Sequence, residues 1–257
     1  MEWIQSKQNA RVKNWRKLHT AKGRAQQGAY LIEGTHLVEE AIRYQQQIEH
    51  VLVTQHYYEQ MSNEWLTQVA DRMIMLSDDV MQSVSLTEQP QGIIAIVEMP
   101  QQTTWQPTGK QYLLLDAVQD PGNIGTMIRT ADAAGFDGVI LGRGTADLYN
   151  DKVLRATQGS LWHIEVINHD LEDAIATLQK NAIPVYATAL HQEALPYQAV
   201  STQQAGALVV GNEGSGVSQA IIEQADQAIY IPMYGKAESL NVAIAAGILM
   251  FQFAQSH

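Results

Sequence analysis

Apolar and polar residues alternate along the chain in a way that predicts two consecutive α/β regions. In the first region, strands are predicted at residues 30–34, 48–54, 72–76 and 92–98, and helices at 8–26, 35–43, 61–70 and 78–84. Leu37, Val38, Ala41 and Ile42 form the apolar stripe of one helix, and Thr35 can cap its first turn. Short strands that alternate with helices are typical of a small layered α/β domain.

The second region continues this alternation with more strongly apolar strands. Strands are predicted at residues 112–117, 138–141, 164–167, 184–187, 207–210 and 227–231, and helices at 124–134, 150–157, 171–180, 218–224 and 240–255. Tyr112, Leu113, Leu114 and Leu115 are apolar without interruption. Such a run indicates a parallel sheet that is buried on both faces.

A polar stretch at residues 100–110 separates the two regions. It contains Pro107 and Gly109 and shows neither helical nor strand periodicity, which is typical of a linker. The predicted organisation is therefore a smaller α/β domain at residues 1–99, a linker at 100–110 and a parallel-sheet domain at 111–257.

Composition narrows the class of protein. With 46% hydrophobic residues in 257, the chain can bury a substantial core, and it contains no cysteine, which excludes disulfides and thiolate metal sites and fits a reducing compartment. The eight histidines follow no metal-binding spacing, so no metal is expected. The longest strongly apolar stretch, residues 242–251, is shorter than the roughly 20 residues that span a bilayer. We expect a cytoplasmic protein without a membrane segment.

The net charge of −11 is unevenly distributed. Residues 1–24 carry seven Lys and Arg against Glu2 alone, a local charge of +6, so the other 233 residues carry −17. An acidic body disfavours tight non-specific binding to nucleic acid, whereas a basic arm can still hold phosphates at short range. The residues predicted to contact RNA phosphate are Arg11, Lys13, Arg16, Lys17, Lys22 and Arg24. A solvated basic helix is the alternative interpretation.

The first polar segment at a strand end covers residues 119–131. A Pro-Gly-Asn turn ending at Asn123 leads into a helix in which Arg129 lies among Met127, Ile128 and Ala131. An arginine is costly to bury without a partner, so Arg129 is expected to face a cleft or an anion. A surface ion pair in an ordinary strand-turn-helix connection is the alternative.

The second segment, residues 207–218, contains a strand, a loop with three glycines and a helix that Ser218 can cap. Glycine-rich loops before helices often bind phosphate. Glu213 lies in this loop and argues against an anion there, so a cationic or hydroxyl-rich ligand fits better. A turn with an exposed glutamate is the alternative.

The third segment joins the strand that ends near Ile231 to an apolar helix. Ser239 suits the N-cap position of that helix. Asn241, two residues further on, is harder to explain beside so many apolar neighbours. A further loop, around Ala189, follows the strand at residues 184–187.

Together, these segments resemble the three signature motifs of the SpoU (TrmH-like) RNA 2′-O-methyltransferases of the SPOUT superfamily. The motifs occur in order over about half of the chain. The resemblance implies S-adenosylmethionine as cofactor, a homodimer and a deep trefoil knot in the parallel-sheet domain. It also implies two sets of site residues: catalytic Asn123, Arg129, Glu213, Ser239 and Asn241, and cofactor-binding Ala189, Gly211, Ile231 and Leu240.

The first region is more loosely similar to the ribosomal-protein-like substrate-binding domain of many SpoU enzymes. This similarity rests on Asn9 and on residues 30–34 and 91–95, and it implies a structured RNA substrate. Large-subunit ribosomal RNA is the preferred substrate, and tRNA is the alternative. Residues 147–160 resemble another family segment, in which Lys152 and Arg155 could reach phosphate.

Other α/β enzymes fit less well. The first strand of the second region is not followed by the three-glycine fingerprint of a dinucleotide-binding fold, and the chain lacks the Gly-x-Ser-x-Gly elbow of a hydrolase. A non-catalytic RNA-binding protein that keeps the fold stays open, although all five catalytic motif residues are present. Whether Arg129 is a general base or an electrostatic clamp also stays open at this point.

Overall fold

The computed structural model describes residues 1–61, 63–101, 104–190, 193–200 and 205–254. The chain divides into two compact units. The first comprises Met1–Gln102 and Asp147–Gly159, and the second comprises Thr103–Ala146 and Ser160–His257.

The first hundred residues form a mixed sheet with helices. In chain order the elements are β1 (Glu2–Ile4), α1 (Ala10–Lys17), α2 (Ala21–Gln27), β2 (Ala29–Glu33), α3 (Thr35–Arg43), β3 (Ile48–Thr54), α4 (Gln55–Gln60), α5 (Asn63–Val69), β4 (Met73–Leu76), α6 (Asp78–Val84) and β5 (Ile93–Glu98). The described strands are ordered β1-β4-β3-β5-β2. β1, β4 and β3 are parallel, and β5 is antiparallel to both β3 and β2.

The remaining residues form a parallel sheet. In chain order the elements are β6 (Gln111–Asp116), α7 (Pro121–Ala133), β7 (Gly138–Leu141), α8 (Asp151–Thr157), β8 (Glu165–Asn168), α9 (Leu171–Lys180), β9 (Val185–Thr188), β10 (Leu195–Pro196), β11 (Gly206–Gly211), α10 (Gln219–Gln224), β12 (Gln227–Tyr230) and α11 (Val242–Ala254). The described strands are ordered β10-β12-β9-β11-β6-β7-β8, with every pair parallel. The predicted α/β class and parallel sheet are confirmed.

The centre of the parallel sheet is fully buried, as the uninterrupted apolar run predicted. Tyr112, Leu113, Leu114 and Leu115 on β6 have no exposed surface. Because parallel strands run in one direction, the carboxyl ends of β6, β9, β11 and β12 lie at the same edge. The non-sequential order of β9, β11 and β12 belongs to the part of the fold in which the resemblance predicts the knot, which stays a prediction.

The predicted N-terminal helix at residues 8–26 is two helices in the structure. Thr20 interrupts it, because its side chain accepts a hydrogen bond from the Gly23 N–H at 3.1 Å and so caps α2. A Cβ at Gly23 would lie 1.8 Å from the Lys17 carbonyl oxygen, so the tight corner requires glycine. The three-residue strand β1 was not predicted, because so short a segment has no readable periodicity.

Residues 147–159 lie within the predicted parallel-sheet domain but pack with the first unit. Arg24 of α2 forms an ion pair with Asp147, and the rings of Tyr30 and Tyr149 lie 4.5 Å apart. Burial, together with the nearby Asp147 carboxylate, raises the pKa of Tyr149 to about 12. Nothing in the sequence pattern indicated this placement, and the boundaries 1–99, 100–110 and 111–257 stay a prediction. Linker residues 102–103 lie outside the described residues.

None of the described helices is both long and apolar enough to cross a membrane.

The packing of α8 on the first unit predicts the effect of Leu154→Ala. Leu154 is 1% exposed, so the substitution should leave a cavity and lower the free energy of unfolding by about 2–5 kcal/mol. Urea denaturation measures this change. Lys152→Ala, on the exposed side of the same helix, should stay within about 0.5 kcal/mol of the unsubstituted protein. Equal effects of the two substitutions would contradict the packing of α8.

Candidate active site

Three polar loops lie at the carboxyl edge of the parallel sheet. They follow β6 (residues 117–120), β11 (residues 212–218) and β12 (residues 231–241). The first and third lead into α7 and α11, which pack against each other. Residues far apart in sequence therefore meet at this edge.

The carboxylate of Glu213 joins the first two loops. One oxygen accepts a hydrogen bond from the Gln119 N–H at 3.2 Å. The other accepts from the Asp120 N–H at 3.1 Å and from Nδ2 of Asn123 at 3.0 Å. The carboxylate is thus bound to the loop and first turn from which α7 starts.

These donors also set the charge of Glu213. Partial burial by itself would raise the pKa of this carboxyl, but the hydrogen bonds from Asn123 and the backbone N–H groups outweigh it and lower the pKa below 4.5. Glu213 is therefore an anion at neutral pH.

Asn123 and Asn241 extend the network to the third loop. Oδ1 of Asn123 accepts a hydrogen bond from Nδ2 of Asn241 at 3.0 Å. Oδ1 of Asn241 in turn accepts from the Ala243 N–H at 2.9 Å. Three of the five predicted catalytic residues, Glu213, Asn123 and Asn241, are thus connected side chain to side chain.

The N-cap predicted for the last helix is wrong by two residues. α11 begins at Val242, and Asn241 rather than Ser239 binds its first free N–H groups. Ser239 is exposed and has no hydrogen-bond partner among the described residues. The polar Asn241 beside an apolar helix is explained by its two hydrogen-bonding roles, to Asn123 and to the first turn of α11.

Arg129 lies outside this network. It is exposed on α7 and forms no ion pair with any residue that the structure describes. The surface ion pair, which was the alternative interpretation of Arg129, is therefore not seen in the described part of the chain. The guanidinium is available to an anion.

The predicted cofactor residues lie at the ends of neighbouring strands. A Cβ on Gly211 would lie 2.1 Å from backbone atoms of Gly216 and Val217, so the loop can fold over this position only if it is glycine. The Ala189 N–H donates to the Ile229 carbonyl oxygen at 3.0 Å. Ile231 is half-buried directly after the end of β12, and Leu240 is exposed two residues before α11 begins.

The chemistry of this edge fits S-adenosylmethionine. Leu190, Met233 and Leu240 present exposed apolar surface on which an adenine ring can pack. Within the described ranges, no cluster of three or more His, Asp or Glu side chains could hold a metal ion.

Two residues of the site were missed by the sequence analysis. Oδ2 of Asp116, the last residue of β6, accepts a hydrogen bond from the Ser218 N–H at 2.7 Å. Nδ2 of Asn212 donates to the Ala117 carbonyl oxygen at 2.9 Å. Asn212 lies between the motif residues Gly211 and Glu213, and Asp116 ends the strand that precedes the first motif; these positions were the available signal. Ser218, predicted to cap α10, makes no capping hydrogen bond through its side chain.

Of the six basic residues predicted to bind RNA, four are exposed, and the other two, Arg11 and Arg24, form ion pairs. Lys13, Arg16, Lys17 and Lys22 are exposed. Arg11 pairs with Glu2 and lies 5.7 Å from the centre of the Trp15 ring.

Arg24 departs from its predicted role, because it is buried, donates to the Leu18 carbonyl oxygen at 2.8 Å and pairs with Asp147. Its guanidinium is buried and paired within the fold instead of facing a phosphate. In the other candidate segment, Arg155 pairs with Asp151 at 2.9 Å, whereas Lys152 is exposed.

Comparison with known families identifies the chain. Residues 110–251 match the SpoU rRNA Methylase family, and residues 9–95 match the MRM3-like substrate binding domain. The protein belongs to the SpoU family. The family predicted from the three motifs is therefore confirmed.

Similar SpoU proteins cover nearly the whole chain. The 23S rRNA (guanosine(2553)-2′-O)-methyltransferase RlmP of Bacillus subtilis is 47% identical over 98% of both chains. The AdoMet-bound rRNA methyltransferase of Sinorhizobium meliloti is 31% identical, with a TM-score of 0.87 over 99% of this chain and 97% of that one.

A third SpoU relative, AviRb of Streptomyces viridochromogenes, was also solved with AdoMet. It is 26% identical, with a TM-score of 0.83 over 96% of this chain and 98% of that chain. Together, these relatives confirm the predicted enzyme class and cofactor, S-adenosylmethionine.

The lowered pKa of Glu213 predicts a pH dependence. A carboxyl whose pKa is depressed in the folded protein stabilises the site above its unfolded pKa and loses this effect only as the pH falls through the lowered value. Protonation of Glu213 should therefore cause no loss of activity between pH 8 and pH 5. Glu213→Gln should lower kcat roughly 10- to 100-fold across this whole range, as measured by initial rates of methyl transfer. A Glu213→Gln profile that meets the wild-type profile at pH 5 would contradict the assignment.

Proposed function

We propose that the protein transfers the methyl group of S-adenosylmethionine to the ribose 2′-oxygen of a guanosine in 23S ribosomal RNA. The observation that carries the proposal is the Glu213–Asn123–Asn241 network, which connects the three SpoU motifs in a single site. The guanosine is the one in the name of the Bacillus subtilis relative, and 47% identity over 98% of both chains supports the same target.

The chemistry assigns Arg129 the role of an electrostatic clamp. A ribose 2′-hydroxyl is a weak nucleophile until its proton leaves, and negative charge grows on its oxygen during transfer. Arginine side chains lose their proton only above about pH 12, so Arg129 is a poor general base. Its guanidinium is exposed and has no ion-pair partner among the described residues, so it is suited to hold the developing oxyanion or the 3′-phosphate. The proton then leaves to water.

The other site residues are assigned to holding the cofactor and to orienting the loops around it. S-adenosylmethionine supplies the electrophilic methyl group when bound. Ala189, Gly211, Ile231 and Leu240 would hold it through backbone groups and apolar surface at the strand ends.

The polar residues of the motifs have a structural role in the site. Glu213, Asn123 and Asn241 fix the loops that carry the reacting groups. Ser239, whose hydroxyl is free among the described residues, would line the same site.

RNA binding is assigned to the first unit. The MRM3-like substrate binding match covers residues 9–95, and the exposed Lys13, Arg16, Lys17 and Lys22 provide positive charge on α1 and α2. The alternative, tRNA, is raised by Staphylococcus aureus relatives that are 31% identical and are described as putative tRNA/rRNA methyltransferases. We prefer ribosomal RNA because the identity to the ribosomal enzyme is higher.

A homodimer through α11 completes the proposal. Ile244, Ile248 and Phe251 are 56%, 37% and 49% exposed and follow one another at helical spacing on one face. An exposed apolar stripe of this kind is typical of a protein–protein interface. A ribosomal RNA substrate also supports the expected cytoplasmic location.

Methyl transfer to defined RNAs tests the function. With labelled S-adenosylmethionine and unmodified 23S rRNA, we expect label at one guanosine as an alkali-resistant 2′-O-methyl dinucleotide. Arg129→Ala should lower kcat by about 100-fold or more, because it removes a charge-assisted contact to the developing anion. Arg143→Ala is the control, since Arg143 is an exposed arginine of the same unit that pairs with Asp170 at 3.1 Å. Label in tRNA alone would support the alternative, and no transfer to either RNA would contradict the proposal.

The basic residues predict the salt dependence of RNA binding. Deletion of residues 1–24 is unsuitable, because Ile4, Val12, Trp15 and Leu18 are core residues. Replacing Lys13, Arg16, Lys17 and Lys22 together by Gln should weaken RNA binding and reduce the slope of log K against log salt by up to about 3 to 4.

The affinity for S-adenosylmethionine should not change in that variant. Filter binding at several salt concentrations measures the slope. Lys110→Gln and Lys180→Gln in the second unit serve as matched controls. An unchanged slope would mean that α1 and α2 are simply solvated.

A further inference from the structure

Two carboxylates connect the loops after β6 and β11. One lies on each side of the contact, and each accepts hydrogen bonds from backbone N–H groups on the other side. Asp116, the last residue of β6 before the first loop, accepts a hydrogen bond from the Ser218 N–H at the end of the second loop, at 2.7 Å. Glu213, in the second loop, accepts from the Gln119 and Asp120 N–H groups in the first, at 3.2 and 3.1 Å. Each loop thus supplies an anion to the backbone donors of the other.

Asn212 adds a third connection and shapes the second loop. Its Nδ2 donates to the Ala117 carbonyl oxygen at 2.9 Å, and its Oδ1 accepts from the Gly214 N–H at 2.9 Å. Ala117 has a φ of +54°, a left-handed conformation that a non-glycine residue adopts at a cost. The Asn212 amide therefore forms a hydrogen bond with the one residue, Ala117, at which the backbone of the first loop is strained.

We propose that Asp116 and Asn212 are positioning residues of the methyltransferase site. They fix the second loop so that the Glu213 carboxylate meets Asn123, and Asn123 in turn meets Asn241. This inference rests on the proposed function. Catalysis is sensitive to displacements of about 1 Å in groups that orient the reactants, so loss of either residue should affect the reaction more than the fold.

Asp116→Asn is the main test, and Asp137→Asn is its matched control. Asp137 accepts hydrogen bonds from the backbone N–H groups of Lys110 and Gln111, at 2.6 and 2.8 Å, next to the opposite end of β6. Both substitutions weaken a carboxylate–backbone contact beside the same strand. Only Asp116 is connected to the catalytic loops.

The expected results separate positioning from stability. Asp116→Asn should lower kcat roughly 10- to 100-fold, with the KM for RNA and the Kd for S-adenosylmethionine within about threefold. Asp137→Asn should leave kcat within about twofold of the unsubstituted protein, even if the Tm falls by a similar amount in both variants. Backbone amides of residues 117–123 and 212–218 should exchange hydrogen faster in Asp116→Asn and not in Asp137→Asn.

Two further variants test the connections themselves. Asn212→Asp keeps the acceptor for the Gly214 N–H but loses the donor to Ala117, so it should lower kcat as Asp116→Asn does. The double variant Asp116→Asn/Glu213→Gln should be no slower than the slower single variant, because residues that act as one unit are not additive.

Other outcomes would overturn the inference. A kcat for Asp116→Asn that matches Asp137→Asn, or fully multiplicative losses in the double variant, would show that the two carboxylates do not act as one unit. If the unsubstituted protein transfers no methyl group, the proposed function fails, and hydrogen exchange still decides whether Asp116 holds the two loops together.

Discussion

The site depends on one carboxylate that binds three donors across a wide gap in sequence. Glu213 lies 90 to 94 residues after Gln119, Asp120 and Asn123, yet its two oxygens accept hydrogen bonds from all three. The parallel sheet makes this possible, because β6 and β11 are adjacent and their carboxyl ends coincide residue by residue, with Asp116 opposite Gly211. Without the carboxylate, two backbone N–H groups and an amide would lose their acceptor. The start of α7 would then lose its connection to the second loop.

In the second unit, the buried strands form the scaffold, and the polar loops at the strand ends carry the site residues. The strands are apolar and buried, and they fix where each loop begins. The loops carry the polar side chains, and their shape depends on backbone that approaches closely at Gly211 and on a strained residue at Ala117. α11 serves both parts, because Asn241 caps it within the site while Ile244, Ile248 and Phe251 leave an apolar stripe exposed. In the proposed homodimer, the helix that Asn241 caps beside the site would also join the subunits.

The first unit shows why net charge is a poor guide to RNA contacts. The basic N-terminal segment contains two arginines that already have an acidic partner, Arg11 beside Glu2 and the buried Arg24 beside Asp147. A buried arginine requires a partner because its desolvation is costly, and Asp147 comes from a distant part of the sequence. The positive charge that remains for RNA is therefore smaller than the composition suggests. An acidic body further limits non-specific attraction.

The sequence by itself determined the parallel sheet, the order of its elements and the identity of the motif residues. Uninterrupted apolar strands such as residues 112–115 can only be buried on both faces, and glycines and polar residues at strand ends mark where a site can form. Tertiary structure alone decided which residues meet. It separated the N-terminal helix at Thr20, paired Arg24 with Asp147, assigned the α11 cap to Asn241 instead of Ser239, and brought Asp116 and Asn212 into the site. These outcomes depend on hydrogen bonds and ion pairs between residues distant in sequence, whereas periodicity reports only on neighbours along the chain.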